Sequence, residues 1–300
     1  MIQAVETYLA MRRAAGFDLL NADYLLHSFA RFAADHHETH ARIATAIEWA
    51  ALSTMPAQRD ERLKTVCRFV RYIRAEDDRH ELPPSGYFGC HKTRRTPRIY
   101  SNAEIRLLMD AALQLKPPDS LRPHSYETLI GLLAATGLRV SEALGIEFSD
   151  ITTDGLLIRK TKFQKTRLVP LHETVRLAVD KYVTCRRRMH SNGQRVFIRD
   201  GGRPLPYWEV HATFLKLLKM SDLLSSGRRL RLHELRHTFA VRALETSPAG
   251  RQRVGQHMLA LATYLGHANI YDTYWYLETT PELLRDIAAA GEAFYCGGQP

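Results

Sequence analysis

Cysteine is scarce in this chain, and long hydrophobic runs are absent. The four cysteines form no Cys-x-x-Cys pair, which argues against a zinc site or a disulfide framework. They are Cys67, Cys90, Cys185 and Cys296. The longest apolar stretch, around residues 129–135, is too short to span a bilayer, and the first residues lack a basic segment followed by an apolar core. We therefore expect a soluble, cytoplasmic protein without a membrane partner.

Acidic residues are too few to balance the basic ones. The 42 lysines and arginines outnumber the 32 aspartates and glutamates, and the formal net charge is +10. Such a charge favours a polyanion as the partner, because binding to a polyanion releases its counterions. The positive charge is concentrated in three runs, at residues 91–98, 186–188 and 228–231. For any single run, a solvated basic surface without a ligand is the alternative.

A chain of 300 residues with 45% hydrophobic residues is long enough for two domains, each with its own core. Residues 1–82 are predicted to form a helical domain, with helices at about 2–14, 22–36, 41–53 and 58–75. The fourth helix has apolar residues every three or four positions and basic residues on another face. These basic residues, called the basic helix face below, are Lys64, Arg68, Arg71 and Arg74. We predict that they contact DNA phosphates.

Residues 83–99 are predicted to be an interdomain linker, because proline and glycine interrupt any period there. The linker is basic and is expected to touch DNA through Lys92, Arg94, Arg95 and Arg98. The second domain, residues 100–300, opens with Ser-Asn-Ala-Glu at 101–104, the pattern of a helix capping box. Two strand-like runs, at 156–160 and 167–170, predict a small antiparallel sheet.

Six dispersed residues of the second domain together suit attack on a phosphodiester. They are Arg139, Lys162, His233, Arg236, His267 and Tyr276. Two arginines can hold phosphate oxygens, a lysine and two histidines can move protons or donate hydrogen bonds, and a tyrosine can be the nucleophile. This chemistry requires no metal ligand. Five of the six are placed by three ordered motifs: Ala-Thr-Gly-Leu-Arg-Val-Ser-Glu at 135–142, His-Glu-Leu-Arg-His at 233–237 and Leu-Gly-His at 265–267, with the tyrosine nine residues further on.

With these motifs the chain resembles the tyrosine recombinases, also called phage-type integrases, over roughly residues 95–285. The resemblance implies a mainly α fold, in which a helical core-binding, SAM-like domain precedes a mostly helical catalytic domain with a small antiparallel β-sheet. It also implies a site-specific recombinase that cuts and rejoins duplex DNA through a 3′-phosphotyrosyl intermediate, without metal, ATP or cofactor. The implied partners are double-stranded DNA and further copies of the chain, in a homotetramer on synapsed DNA. Sister recombinases of a mobile element are an additional implied partner.

The nucleophile and the first arginine each have an alternative interpretation. The spacing from the Leu-Gly-His motif in the family selects Tyr276 over Tyr271 and Tyr274, whereas plain core packing would explain the aromatic cluster without chemistry. Glu142 lies three residues after Arg139 on the same predicted helix and could orient it. The alternative is an ordinary surface ion pair, which would stabilise the fold by less than about 1 kcal/mol.

The catalytic lysine is assigned by alignment to a neighbouring motif. In the family, a lysine on the β-hairpin acts as general acid near the scissile phosphate. Lys162 aligns with that lysine when Arg-Leu-Val-Pro at 167–170 is the anchor, and Lys160 and Lys165 are close rivals.

Three other functions stay open at the level of the residues. The segment 233–237 also matches the His-Glu-x-x-His zinc-protease pattern, although Ala240 and Ala243 stand where the extended pattern has glycine and histidine. A catalytically silent DNA-binding accessory subunit of the same fold would bind DNA without a covalent adduct. A relaxing topoisomerase would use the same tyrosine chemistry without site preference.

Overall fold

The computed structural model describes residues 1–89, 96–159, 166–188, 193–224, 230–246, 251–267 and 269–276. The chain divides into two compact units, residues 1–95 and 96–300, and the division falls within the predicted linker. Cys67 and Cys185 are free thiols, whereas Cys90 and Cys296 lie outside the described residues. Within the described ranges, no helix is both long enough and apolar enough to cross a membrane.

The described part of the first unit, residues 1–89, forms four helices: α1 (Ile2–Ala14), α2 (Leu20–Asp35), α3 (Ile43–Ala51) and α4 (Pro56–Ile73). All four predicted helices are present, with ends displaced by about two residues or less, the usual uncertainty of helix ends. Aromatic rings pack against one another within the core between them. Phe29 meets Trp49 edge-on with ring centroids 5.5 Å apart, and Tyr8 meets Phe69 in the same way at 5.6 Å. Such edge-to-face pairs add to the free energy gained by burying the rings.

The basic helix face lies on α4 and its C-cap residue Arg74, opposite the side that packs into this core. Arg68, Arg71 and Arg74 are exposed and Lys64 is half-buried. Part of their charge is paired on the same helix. The Lys64 ammonium lies 2.7 Å from Asp60, and the Arg68 guanidinium lies 3.6 Å from Glu61.

In its described residues, the second unit is mostly helical and contains a small sheet. Its α-helices and strands are α5 (Asn102–Leu113), α6 (Arg122–Thr136), α7 (Val140–Gly145), β1 (Ile151–Thr152), β2 (Gly155–Ile158), β3 (Arg167–Val169), α8 (Glu173–Arg188), α9 (Tyr207–Met220), α10 (His233–Glu245), α11 (Arg251–Leu265) and α12 (Tyr271–Tyr274). α6 is largely buried and packs against α5, α8 and α10. The unit therefore has the predicted fold class, mainly helical with a small antiparallel sheet.

Local signals in the sequence account for several boundaries in this unit. The predicted capping box is present, since Ser101 Oγ accepts the Glu104 amide at 3.1 Å and the Glu104 carboxylate accepts the Ser101 amide at 2.8 Å. The sheet is antiparallel in the order β1-β2-β3, and Leu156 pairs with Val169. β1 was not predicted, because two residues are too few to show alternation.

Candidate active site

The first arginine of the site stands at the junction between α6 and α7. α6 ends at Thr136, and Gly137 follows in the left-handed conformation with φ 60°, where a Cβ atom would lie 2.5 Å from the Phe239 ring. Arg139 then caps α7. Its amide donates to Glu142 Oε2 at 3.0 Å and its Nη1 donates to Glu142 Oε1 at 2.8 Å. The predicted pair is therefore formed, and its carboxylate is buried, with 7% of the side chain exposed.

The second arginine lies at the centre of the site. Arg236 is on α10 and only 2% exposed. Its Nη1 donates to the Gly137 carbonyl and its Nη2 donates to the Leu265 carbonyl, each at 2.7 Å. One guanidinium thereby joins the end of α6 to the end of α11. Burial, followed by the charge of Arg139, lowers the pKa of Arg236 to about 10, so it remains a cation at neutral pH.

The turn after α11 brings the third motif to the two arginines. Gly266 has φ 66°, and its carbonyl accepts from Arg139 Nη2 at 3.3 Å. His267 follows and is half-buried, with Nδ1 at 2.7 Å from the Thr273 hydroxyl. Burial and the charges of the two arginines lower the pKa of His267 to about 4. The ring is therefore neutral at pH 7, with one nitrogen able to accept and the other able to donate.

Two further histidines lie on α10. His233 stands at the first position of the helix with its outer edge open to solvent. Dense packing around the rest of the ring and the nearby charges of Arg236 and Arg139 lower its pKa to about 4. His237 is buried one turn later, with its ring centroid 4.7 Å from that of His233, and burial lowers its pKa to about 3.

The zinc-protease interpretation of segment 233–237 finds no support in these contacts. Within the described residues, no group of three or more histidine, cysteine, aspartate and glutamate side chains is placed to hold a metal ion. Glu234, the residue that would be the base, is 4% exposed and accepts the backbone amide of Arg231 at 3.1 Å. This carboxylate caps the start of α10.

The candidate nucleophile lies against α10 and the turn after α11. Tyr276 is 2% exposed, and its ring is stacked on His267 with centroids 6.1 Å apart and 20° between the planes. Burial raises the pKa of its hydroxyl, and the charge of Arg236 and a hydrogen bond from that side chain oppose this rise. The two rival tyrosines are exposed to solvent instead: 72% of Tyr271 and 44% of Tyr274 are accessible.

The structure thus brings together Arg139, Glu142, Arg236, His267 and Tyr276, with His233 at the open edge of the cluster. Lys162 and its rivals Lys160 and Lys165 lie outside the described residues, as do Lys92, Arg94 and Arg95. The Arg98 side chain donates to Glu104 and to the Leu223 carbonyl within the second unit.

One residue of the cluster was not identified as a site residue from the sequence. Arg167, which served only to align the lysine, donates from Nη1 and Nη2 to the two oxygens of Glu142, at 3.0 and 2.8 Å. The basic residue before Leu-Val-Pro was visible in the sequence. Nothing local indicated that its partner lies 25 residues earlier.

A family profile and individual relatives both match this chain to integrases and recombinases. The profile of the phage integrase family matches residues 98–282. The chain is 35% identical to the putative integrase/recombinase y4rB of Sinorhizobium fredii (strain NBRC 101917 / NGR234), with 95% of this chain and 94% of that protein covered. It is 32% identical to tyrosine recombinase XerD of Halalkalibacterium halodurans, with 66% of this chain and 62% of that protein covered.

Solved structures share the fold. The Tn1549 transposon integrase in complex with transposon right end DNA matches with a TM-score of 0.64 at 16% identity, covering 95% of this chain and 99% of that one. A lambda integrase tetramer bound to a Holliday junction matches with a TM-score of 0.58 at 18% identity, covering 89% of this chain and 77% of that one. The matched profile spans all three motifs and the residues they bring together, and the chain belongs to the phage integrase family of tyrosine recombinases.

Proposed function

We propose that this chain is a site-specific recombinase that cuts and rejoins duplex DNA with Tyr276 as the nucleophile. The observation that carries the proposal is the contact of the Tyr276 hydroxyl with Arg236, beside Arg139 and the neutral ring of His267. A nucleophile, two cations for a phosphate and neutral proton-transfer groups are the parts that this reaction requires.

In the proposed reaction the Tyr276 oxygen attacks phosphorus and loses its proton, and the bond from phosphorus to the 5′ oxygen breaks. The products are a 3′-phosphotyrosyl link and a free 5′-hydroxyl. Because the link conserves the energy of the broken bond, the reverse attack by a 5′-hydroxyl rejoins DNA without ATP. A metal ion is not needed if cationic side chains neutralise the phosphate.

Each remaining residue has a proposed role in this step. Arg139 and Arg236 stabilise the negative charge of the phosphate oxygens in the transition state. His233 and His267 are neutral at pH 7, so they can accept the tyrosine proton or donate a hydrogen bond to the phosphate. The leaving 5′ oxygen needs a proton, which we assign to Lys162. Since Tyr276 is 2% exposed, the attack requires its segment to shift towards the DNA.

The partner proposed for both units is double-stranded DNA. Residues 1–82 would act as a core-binding domain that uses the basic helix face, residues 83–99 as a basic linker, and residues 100–300 as the catalytic domain. The net charge of +10 supports this assignment. The lambda integrase match is a tetramer on a Holliday junction. We propose a homotetramer on synapsed DNA for this chain as well, with sister recombinases of the same mobile element as further partners.

A suicide substrate tests the proposal. Duplex sites would first be selected by the full chain from a randomised DNA library and then nicked at successive positions, so that cleavage beside a nick releases a short fragment and traps the protein. We expect an adduct that survives denaturing electrophoresis, with the DNA on the peptide that contains Tyr276. Binding without an adduct would instead identify an accessory subunit. Adducts at all sequences, with relaxation of supercoiled DNA, would identify a topoisomerase.

A further inference from the structure

Arg167 makes a dense set of contacts for a residue on a short strand. It opens β3, and only 11% of its side chain is exposed. Two of its nitrogens donate to the two oxygens of Glu142, at 3.0 and 2.8 Å, and Nε donates to the Tyr264 carbonyl at 2.8 Å. The planar guanidinium matches a carboxylate in this paired geometry, which a lysine ammonium cannot reproduce.

Glu142 links Arg167 to Arg139, the first arginine of the site. Its Oε1 accepts from both Arg167 and Arg139, at 3.0 and 2.8 Å, and its Oε2 also accepts the Arg139 amide. Burial alone would raise the pKa of Glu142, but the hydrogen bonds from Arg167 and Arg139 lower it to about 2. The carboxylate is therefore ionised and lies between two guanidinium groups.

The other side of Arg167 packs against the turn that leads to His267. A Cβ atom on Gly266 would lie 2.7 Å from Arg167 Nη1, so the guanidinium fills the space that a side chain there would need. The Gly266 carbonyl accepts from Arg139. Arg167 therefore contacts both groups that hold Arg139, the Glu142 carboxylate and the turn at 264–266.

We infer that Arg167 is a positioning residue, which fixes the Arg139 guanidinium for contact with a phosphate oxygen by clamping Glu142 and the turn at residues 264–266. Three of the five N–H donors of an arginine are committed to Glu142 and Tyr264 here. Arg167 therefore acts through Arg139 rather than by touching DNA. The role in catalysis rests on the proposed strand transfer, whereas the clamp itself does not.

The test uses the full chain and two measurements. The first is the single-turnover rate of adduct formation at saturating nicked duplex. We expect Arg167→Met to lower this rate by about 100-fold, the typical result of displacing a reacting group by about 1 Å. The dissociation constant for the same duplex should stay close to that of the parent. Arg195→Met is the matched control, because Arg195 donates to the Gly145 carbonyl at the opposite end of α7, and its rate should be unchanged.

The second measurement is hydrogen exchange, which does not depend on activity. Loss of the clamp should speed exchange in the peptide that covers residues 136–146, because the Arg139 amide donates to the carboxylate that Arg167 holds. Arg167→Lys should retain the cation but give the same increase, because it cannot form the paired contact. If Arg167→Met does not fold, Arg167→Lys carries both measurements.

The outcomes separate the inference from the proposed function. If the parent forms no adduct on any duplex, the proposed strand transfer fails, and the exchange data still decide whether the clamp exists. If the parent cleaves and both Arg167 variants cleave at the parental rate with unchanged exchange at 136–146, the inference is wrong. Equal losses of rate in Arg167→Met and Arg195→Met would also overturn it, since they would indicate a general weakening of α7.

Discussion

Replacing Arg236 by lysine keeps the positive charge but removes the pair of guanidinium nitrogens that donate to two different carbonyls. The native guanidinium donates to the Gly137 and Leu265 carbonyls at 2.7 Å each, and these carbonyls lie at the ends of two different helices. Lysine has one terminal nitrogen, which cannot occupy the positions of both guanidinium nitrogens, so one of the two carbonyls loses its donor. A buried carbonyl left without a donor costs about 1–3 kcal/mol. For a unit of this size, each kcal/mol lowers the melting temperature by about 2–4 °C.

The effect on cleavage should be larger than the effect on stability. Through the two carbonyls, Arg236 holds the turns that carry Arg139 and His267, so replacing Arg236 should displace both of these side chains. The replacement also removes the contact between the guanidinium and Tyr276. Removal of one donor to a developing negative charge typically lowers the rate by about 100- to 1,000-fold. We therefore expect Arg236→Lys to reduce single-turnover adduct formation by at least about 100-fold.

The matched control is Arg186→Lys. Arg186 is also buried and donates from one nitrogen to two carbonyls, those of Gly193 and Arg195, at 3.1 and 3.3 Å. It lies outside the candidate site, so the lysine variant should melt at a lower temperature and cleave at the parental rate once folded. Thermal melting and the rate at saturating DNA are measured for both variants. An Arg236→Lys protein that melts and cleaves like the parent would refute the bridging role assigned to this side chain.

Four further results are expected. Tyr276→Phe should abolish the adduct and leave DNA affinity nearly unchanged, while Tyr271→Phe and Tyr274→Phe should still form adducts; an adduct in the first variant would exclude that tyrosine as nucleophile. Cleavage should persist in excess EDTA, because cationic side chains stabilise the phosphate, and loss of cleavage on chelation would contradict the metal-free mechanism. Alanine at all four positions of the basic helix face should lower DNA affinity and reduce the salt slope by about 0.9 per lost phosphate contact, with little change in the rate of saturated complexes. Burial lowers the pKa of His237 from its ordinary value near 6.5 to about 3, so the unfolded chain binds a proton at this ring that the folded chain does not, and the fold loses stability as the pH falls below 6.5. The melting temperature of His237→Phe should therefore depend less on pH between 7 and 5 than that of the parent. An equal dependence would count against this assignment.

The acid side of the pH–rate profile gives an additional check on the site histidines. The pKa values of His233 and His267 are lowered to about 4, so both rings stay neutral well below pH 6.5. If the neutral rings are the active forms, the cleavage rate should not fall as pH decreases from 7 to 5.5. A rate that halves near pH 6.5 would indicate that one of these rings has an ordinary pKa when DNA is bound.

Local features of the chain were readable from the sequence alone. The four helices of the first unit follow from apolar residues at helical spacing, and the start of α5 follows from the capping box at residues 101–104. The pairing of Arg139 with Glu142 was predicted from their spacing of three residues, and the structure forms this pair at the start of α7. Each of these signals involves groups only a few residues apart, so the sequence alone determines it.

The geometry of the site was decided by tertiary structure. Arg236 reaches a carbonyl 99 residues earlier and another 29 residues later, and Arg167 reaches a carboxylate 25 residues earlier. The burial of Tyr276 among the rings of His237, His267 and Trp275 likewise depends on where α10 and the segment after α11 meet. Motif order allowed most of these residues to be named in advance. Their partners could not be, because a backbone carbonyl carries no side-chain signature and becomes a partner only when packing brings distant helix ends together.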